Sequence, residues 1–196
     1  MITDKATYKY YLERDLAAYQ LKKVSFYNYW WMDVLRWQCR LRKIEYLHNV
    51  RKNNFFCRIY LFFLEFINHH LAVKLGFSIP KNVFNAGLCI VHHGTIVVSP
   101  YSKIGENCRI HPSTSIGAYY GAPQIGNNVY IGPGAKLFGQ IVIGDNVAIG
   151  ANAVVNNDVP ANVTIGGVPA KIISNKNSIQ SGLFPKDFIT QQHNEY

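Results

Sequence analysis

Acidic residues are scarce in this 196-residue chain: 11 Asp and Glu stand against 20 Lys and Arg, which gives a formal net charge of +9. The excess lies early, since residues 1–76 carry 13 basic and 6 acidic side chains, whereas residues 77–196 carry 7 and 5. No motif of a nucleic-acid reader accompanies this charge, so we expect no nucleic-acid partner. An anionic lipid, an anionic glycan or an anionic cofactor matches the charge better.

Cysteine and long apolar runs are also scarce. The four cysteines show neither metal-ligand spacing nor a dense disulfide pattern, so we expect reduced thiols and no metal. The N-terminus lacks the apolar core of a secretion signal. The most apolar stretch, residues 55–77, is interrupted by charged side chains and histidines, whereas a membrane span needs about 20 mostly apolar residues. We therefore expect a cytoplasmic protein, with peripheral contact of its N-terminal helices to the inner face of a membrane left open.

Proline is absent from residues 1–76, and long stretches lack any helix breaker. These stretches predict three helices, at Tyr8–Lys23, Trp30–His48 and Phe55–Leu75. Gly76 fits a helix stop, and Pro80 follows it. The many aromatic residues of this region fit either helix packing and subunit contacts or a platform for a membrane or glycan.

From residue 77 onward, an apolar residue recurs at about every sixth position. The positions are Ile90, Ile96, Ile104, Ile110, Ile116, Ile125, Ile131, Leu137, Ile143, Ile149 and Val155. Neither the period of a strand nor that of a helix explains this spacing. A coil with three flat sides does, each hexapeptide forming one side with its apolar residue inward. The steps from Ile96 to Ile104 and from Ile116 to Ile125 are longer by two and three residues, so we expect inserted surface loops there.

The repeat resembles that of the hexapeptide-repeat acyltransferases, as do the segments Cys89-Ile-Val-His-His-Gly-Thr-Ile-Val-Val98 and Gly166-Gly-Val-Pro-Ala-Lys-Ile172. The serine acetyltransferase-like subgroup fits best, and within it the enzymes that O-acetylate capsule, exopolysaccharide or O-antigen sugars. The resemblance implies an α-helical N-terminal domain at 1–76, a mainly β, left-handed parallel β-helix at 77–173 and a C-terminal tail at 174–196. It also implies a homotrimer that binds acetyl-CoA as co-substrate in the groove between neighbouring subunits.

By the same resemblance, the chain is an acetyl-CoA-dependent O-acetyltransferase of polysaccharide biosynthesis, and His92 falls at the position of the catalytic base. A hydroxyl is a poor nucleophile at neutral pH, and histidine suits the role of base because its ordinary pKa of ~6.5 leaves it largely neutral. His93 should point the opposite way on an extended side. One coil further on, Pro112 should lie above His92, and His111 should stack near Val91. His93 and His111 are candidates for the oxyanion or acceptor site, and His93 is the second candidate for the base. The alternatives are a structural role for His92 and His93 and a solvated or interface position for His111.

The chain departs from the serine acetyltransferases in two places. Phe77 stands 15 residues before His92, where those enzymes have an aspartate, and Tyr119 and Tyr120 replace a second histidine in a shorter loop. Both departures favour a sugar or glycan acceptor. A serine O-acetyltransferase of cysteine biosynthesis and a non-catalytic β-helix scaffold remain the alternatives. The backbone of Gly117 is a candidate donor to the oxyanion, and the two tyrosines would stack on a sugar or simply pack in the loop.

The coenzyme A contacts of the family carry over to corner residues on successive coils, each with a purely structural role as its alternative. These residues are Pro133, Ala151, Asn156, Asn157 and Lys171. By the resemblance, Lys171 would contact the nucleotide phosphates. Family members often have Thr-Lys where this chain has Asn156-Asn157, so one phosphate-binding charge is missing and Lys171 would carry more of this role.

Overall fold

The computed structural model describes residues 1–51, 54–185 and 188. Its helices are α1 (Lys5–Ala18), α2 (Phe26–Trp31), α3 (Asp33–Val50) and α4 (Phe55–Leu75). The side chains of Asp4, Ser25 and Asn54 accept hydrogen bonds from the first turns of α1, α2 and α4. Gly76 ends α4 with φ of +81°, a left-handed conformation that glycine adopts without a steric penalty. No helix in the described part of the chain is both long and apolar enough to cross a membrane.

The predicted helix at Phe55–Leu75 is confirmed, whereas the other two predictions were partly wrong. The second helix is broken at Met32, which has extended ψ of 83° and separates α2 from α3. Arg36 supports this bend by donating a hydrogen bond to the backbone carbonyl of Trp30 at 2.9 Å. The first helix starts earlier than expected and ends at Ala18 instead of Lys23. These breaks come from tertiary contacts, which override helix propensity.

Short strands follow the helices. Their bounds are β1 (Phe77–Ser78), β2 (Cys89–Ile90), β3 (Ile96–Val98), β4 (Lys103–Ile104), β5 (Arg109–Ile110), β6 (Thr114–Gly117), β7 (Gln124–Ile125), β8 (Tyr130–Ile131), β9 (Lys136–Phe138), β10 (Val142–Ile143), β11 (Ala148–Ile149), β12 (Val154–Val155), β13 (Thr164–Gly166) and β14 (Lys171–Ser174). Sheet A is ordered β1-β3-β6-β9-β12, sheet B is β10-β7-β4, and sheet C is β14-β13-β11-β8-β5-β2.

The chain visits sheets C, A and B in turn and so winds a coil with three sides. All the strand pairs are parallel except β13 with β14. In the regular part of the coil, Ile131 pairs with Ile149 and Leu137 pairs with Val155, so one turn takes 18 residues, or three hexapeptides. The apolar residue of each hexapeptide is buried inside the coil, as the repeat predicts. The expected fold class, an α-helical region followed by a parallel β-helix of hexapeptide repeats, is confirmed.

The first of the two insertions lies at a different place from the predicted one. Val98, and not Ile96, occupies the level of Ile116, while Ile96 pairs with Thr114. The two additional residues therefore lie between Ile90 and Val98, in the turn that carries His92, and not between Ile96 and Ile104. Sequence spacing misplaced them because β3 buries both Ile96 and Val98, so either residue satisfies an apolar pattern.

The second insertion lies where it was predicted. Ile116 pairs with Leu137, a step of 21 residues instead of 18. The three additional residues belong to the loop that contains Tyr119 and Tyr120.

Asparagines line the corner between sheets B and C. Side-chain amides donate from Asn107 to Asn128 and from Asn128 to Asn146 at 2.8 Å, and from Asn146 to Asn162 at 2.9 Å. All four have φ between +56° and +64°, the left-handed region that asparagine tolerates better than most residues. We call this set the asparagine ladder. It lets the chain turn the corner and ties successive coils together.

The helices cover the open edge of the coil at β2, the outer strand of sheet C. The Asp15 carboxylate accepts a hydrogen bond from the backbone N–H of Leu88 at 2.9 Å, and the Gln38 amide donates to the Leu88 carbonyl at 2.8 Å. The Tyr19 hydroxyl lies 2.9 Å from the carbonyl and 3.0 Å from the nitrogen of Ile90. Backbone groups that a bare edge strand would leave unpaired are thus satisfied.

Arg42 fixes the helices to this edge. It is fully buried, bonds the carboxylates of Asp15 and Glu45, and donates to the carbonyls of Phe84 and Asn85. Burial by itself would lower the pKa of Arg42, but the two carboxylates outweigh it and hold the pKa above its ordinary value.

The division into domains at 1–76, 77–173 and 174–196 stays a prediction. Within the predicted tail, residues 186, 187 and 189–196 lie outside the described residues.

Candidate active site

The corner between sheets C and A carries His92. This residue follows β2 and precedes β3, and it sits in the turn widened by the two additional residues. Its side chain is exposed. Gly94 in the same turn has φ of +137°, and a Cβ there would lie 2.8 Å from Cβ of Pro112. The turn therefore needs glycine in order to pack against the coil above it.

Small side chains continue above His92 along this corner. Since Ile90, Ile110, Ile131 and Ile149 stand in register, the residues two positions after each form a column. The column is His92, Pro112, Pro133 and Ala151. Pro133 and Ala151 are exposed. This places two of the predicted coenzyme A contacts in line with the predicted base, and the Lys136 ammonium reaches the same corner by donating to the carbonyl of Ser113.

The extended side that was assumed for His93 is absent from this turn. The prediction gave His93 the opposite direction to His92, which assumed an extended side. Residues 92–94 form a bend instead, and both imidazoles are exposed and line one cavity. The insertion at this turn is the reason, because it releases the pair from strand geometry.

His111 lies one coil above, at the level of Val91, as the sequence predicts. Its ring is half-buried against Tyr130, with 5.0 Å between ring centroids. Its Nε2 is buried and has no hydrogen-bond partner in the described part of the chain. Burial lowers the pKa of His111, and the nearby charges of Arg109 and His92 lower it further. At neutral pH this ring is therefore uncharged.

A cavity of about 480 Å³ opens beside His92 and His93, against the bend between α2 and α3. Trp31, Asp33 and Lys74 contribute its other functional side chains. All three are exposed, and Asp33 also pairs with Arg36. The residues that line the cavity thus include two histidines, one aspartate, one lysine and one tryptophan.

Sequence reasoning missed Asp33 and Lys74. Neither lies in a motif, and the bend that brings Asp33 to the cavity has no proline or glycine to mark it. The charge of Lys74 lies within a helix that was predicted correctly, but nothing in the pattern shows that its end meets the histidine turn.

Phe77, which stands where the serine acetyltransferases have an aspartate, belongs to the hydrophobic core. Phe77 is buried and packs edge-on against Trp37, with ring centroids 5.1 Å apart. No carboxylate can therefore approach His92 from this position.

Gly117, Tyr119 and Tyr120 lie at the next corner, between sheets A and B. Within one chain, the short side formed by β3 and β6 separates them from His92. The two tyrosines are 65% and 88% exposed and contact each other edge-on, with 4.6 Å between centroids. A Cβ on Gly117 would make an ordinary 3.8 Å contact with Phe138, so nothing within this chain requires glycine there. A site that uses both His92 and this loop needs residues from two copies of the chain.

The remaining predicted coenzyme A contacts are dispersed. Asn156 and Asn157 follow β12 at the corner between sheets A and B, and their side chains bond each other at 3.0 Å. Lys171 is exposed on β14, opposite Gly166 of β13. The candidate contacts of one chain therefore lie along two corners of the coil. Pro133 and Ala151 lie at the corner between sheets C and A, Asn156 and Asn157 lie at the corner between sheets A and B, and Lys171 lies apart from both on sheet C.

Comparison with known proteins agrees with the coil and with the helices. A family model described as bacterial transferase hexapeptide, with six repeats, matches residues 122–157. A serine acetyltransferase of Synechococcus elongatus is 37% identical over 113 residues, which are 55% of this chain and 46% of that protein. A serine acetyltransferase of Helicobacter pylori is 36% identical over 117 residues, 57% of this chain and 63% of that protein.

Solved structures extend the similarity to most of the chain. The serine acetyltransferase of Neisseria gonorrhoeae in complex with serine has a TM-score of 0.68 at 25% identity, over 87% of this chain and 70% of that one. A serine acetyltransferase in complex with CoA has a TM-score of 0.68 at 26% identity, over 86% of this chain and 71% of that one. The chain therefore carries the hexapeptide repeat and has the fold of the solved serine acetyltransferases.

The chain spans only about half to two thirds of the length of the curated relatives it matches. The relatives named above are serine acetyltransferases, whereas the sequence resemblance placed the sugar-acetylating enzymes first. The comparisons thus favour the alternative over the first interpretation.

Proposed function

We propose that this chain transfers an acetyl group from acetyl-CoA to a hydroxyl, with His92 as the general base. The observation that carries the proposal is the exposed His92, which lines a cavity and stands in one column with Pro112, Pro133 and Ala151. The imidazole takes the hydroxyl proton while the hydroxyl oxygen attacks the thioester carbonyl. The tetrahedral oxyanion then collapses and expels the CoA thiolate, which receives the proton from the imidazolium. Serine acetyltransferases, one of them solved with CoA, share this fold.

For acetyl-CoA we propose the groove between two copies of the chain, in a homotrimer. Pro133 and Ala151 lie at the corner of the coil where sheet C meets sheet A, and Asn156 and Asn157 lie at the corner where sheet A meets sheet B. Two copies placed side by side bring these two corners together. Lys171 supplies a positive charge for the phosphates, as a point charge without the fixed geometry of arginine.

L-Serine is the acceptor that we propose first. The relatives support it, and so does the charge of the cavity. Free serine carries an ammonium and a carboxylate, and the cavity beside His92 carries Asp33 and Lys74, which have the complementary charges. Charge-assisted hydrogen bonds of this kind contribute about 1.5–3 kcal/mol each.

A sugar hydroxyl is the second candidate, and specific observations favour it. Phe77 replaces the aspartate of the serine acetyltransferases, and Tyr119 and Tyr120 are exposed aromatic rings that can stack on a sugar. The cavity, at about 480 Å³, falls in the range that holds ligands much larger than an amino acid. Trp31 adds a further ring surface to it.

The two acceptors are separated by measuring CoA release from acetyl-CoA with L-serine and with a panel of methyl glycosides, and by mass spectrometry of the products. Release with L-serine and formation of O-acetylserine supports the first reading. In that case Asp33→Asn and Lys74→Gln should each raise the KM for L-serine by about 10- to 100-fold. Release with a glycoside alone supports the second. If acetyl-CoA does not bind at all, the chain is a scaffold and both readings fail.

A further inference from the structure

Helix α4 presents an unusually apolar outer surface. Phe55, Ile59, Phe62 and Phe66 form one stripe along the helix, since they follow the i, i+4, i+7 spacing of a single face. The residue after each of them forms a second stripe beside the first. These eight side chains are between 43% and 79% exposed. The rest of the helix packs on α3 and on the coil through residues such as Asn68 and Leu75, which are buried.

Helix α2 continues this surface. Trp30 and Trp31 are 56% and 75% exposed. Trp30 shares a shallow depression with Phe66 and Ile67 of α4, so the two helices form one connected patch. We call the outward side chains of α2 and of residues 55–67 the aromatic face. At one end it reaches the cavity of His92, because Trp31 lines that cavity.

The charges around the aromatic face are positive. Each acidic side chain near it already has one cation beside it, since Asp33 pairs with Arg36 through Oδ1 and Glu65 pairs with Lys81 at 2.6 Å. Arg58 and Lys74 are exposed and form no ion pair in the described part of the chain. Aromatic rings flanked by cations are typical of surfaces that lie at the boundary between lipid headgroups and acyl chains.

We propose that the aromatic face binds the surface of an anionic lipid bilayer, with α4 lying flat in the headgroup region. A helix that lies in this plane buries its apolar side and leaves its other side to the protein. A second copy of the chain is a poorer occupant, because it would bring the same uncompensated cations together, whereas anionic lipid neutralises them. The cavity of His92 would then open near the membrane surface. The inference does not depend on which hydroxyl is acetylated.

The test is co-sedimentation of the full chain with vesicles of phosphatidylcholine alone and of phosphatidylcholine with about 30% phosphatidylglycerol. We expect binding to the anionic vesicles. The double variant Phe62→Ser, Phe66→Ser should weaken binding by at least about tenfold, since each ring loses apolar burial. Arg58→Gln should weaken it about fivefold on anionic vesicles only. Tyr101→Ser is the matched control, because Tyr101 is an equally exposed ring (78%) on the coil and should leave binding unchanged.

Circular dichroism and the mass of the assembly by light scattering, measured on the same variants, complete the test. Absence of wild-type binding to anionic vesicles overturns the proposal. If the double variant also has a smaller assembly mass, a second copy covers the face. Equal loss of binding in the Tyr101 variant would overturn it too, since binding would then not depend on the aromatic face. Failure of acetyl transfer, by contrast, would leave vesicle binding intact and would bear only on the proposed function.

Discussion

The asparagine ladder makes a quantitative prediction about stability. Asn128 accepts a hydrogen bond from Asn107 and donates one to Asn146, both at 2.8 Å, and its backbone is left-handed with φ of +56°. Replacing Asn128 by alanine removes both hydrogen bonds, which contribute about 0.5–1.5 kcal/mol each. Alanine also adds about 1 kcal/mol of backbone strain in this conformation. We expect Asn128→Ala to lower the free energy of unfolding by about 2–4 kcal/mol.

Two further substitutions separate the contributions. Asn128→Gly loses the two hydrogen bonds, but glycine adopts the left-handed backbone without strain. The free energy of unfolding should therefore fall by about 1 kcal/mol less than in the alanine variant. Asn152→Ala is the matched control: Asn152 has the same φ of +56°, but its side chain is exposed and makes no hydrogen bond in the described part of the chain. Asn152→Ala should lower the free energy of unfolding only by the backbone strain, about 1 kcal/mol.

The assay is urea unfolding followed by circular dichroism at one fixed protomer concentration, because association shifts apparent stability. If Asn128→Ala costs no more than Asn152→Ala, the ladder does not stabilise the coil. If the glycine and alanine variants at position 128 are equal, the left-handed backbone is not a source of strain.

Three other outcomes follow from buried groups. Burial and neighbouring positive charge lower the pKa of His111, so the unfolded chain binds a proton there more readily than the folded chain. The free energy of unfolding should therefore fall as the pH drops below about 6.5. His111→Gln should make this fall shallower in urea titrations at several pH values. Gly94→Ala should lower the free energy of unfolding by about 1–3 kcal/mol, because φ of +137° disfavours a side chain and the new Cβ meets the next coil; an unchanged urea midpoint would contradict this. Desolvation raises the pKa of the half-buried Cys39 thiol and of the buried Cys89 thiol to about 11, so both should react with a thiol reagent at pH 8 far more slowly than after unfolding, and equal rates before and after unfolding would contradict this.

The repeat in the sequence predicted the coil because each hexapeptide has the same task, to place one apolar side chain inward. The helix at Phe55–Leu75 was predicted because this stretch has no helix breaker and Gly76 marks its end. The structure adds the start, where the side chain of Asn54 caps the first turn. The bend at Met32 was not predictable, because no breaker lies there and Arg36 supports it from the following helix.

The candidate site was predictable only in part. The resemblance indicated His92, but the location of the additional residues was misjudged, since Ile96 and Val98 are equally apolar. As a result, His93 was expected to point away, whereas both histidines line one cavity. Asp33 and Lys74 reach that cavity through the packing of helices against the coil, which no local pattern encodes.

The most direct test of the account is the rate of acetyl transfer by His92→Ala compared with His93→Ala, measured as CoA release with the acceptor that the wild-type chain uses. The two histidines are neighbours, both are exposed, and both line the cavity, so they form a matched pair. The account predicts that His92→Ala lowers kcat by about 10²–10⁴-fold with an unchanged fold, the usual contribution of a general base, while His93→Ala has a much smaller effect. Wild-type turnover in His92→Ala, or the larger loss in His93→Ala, would contradict it.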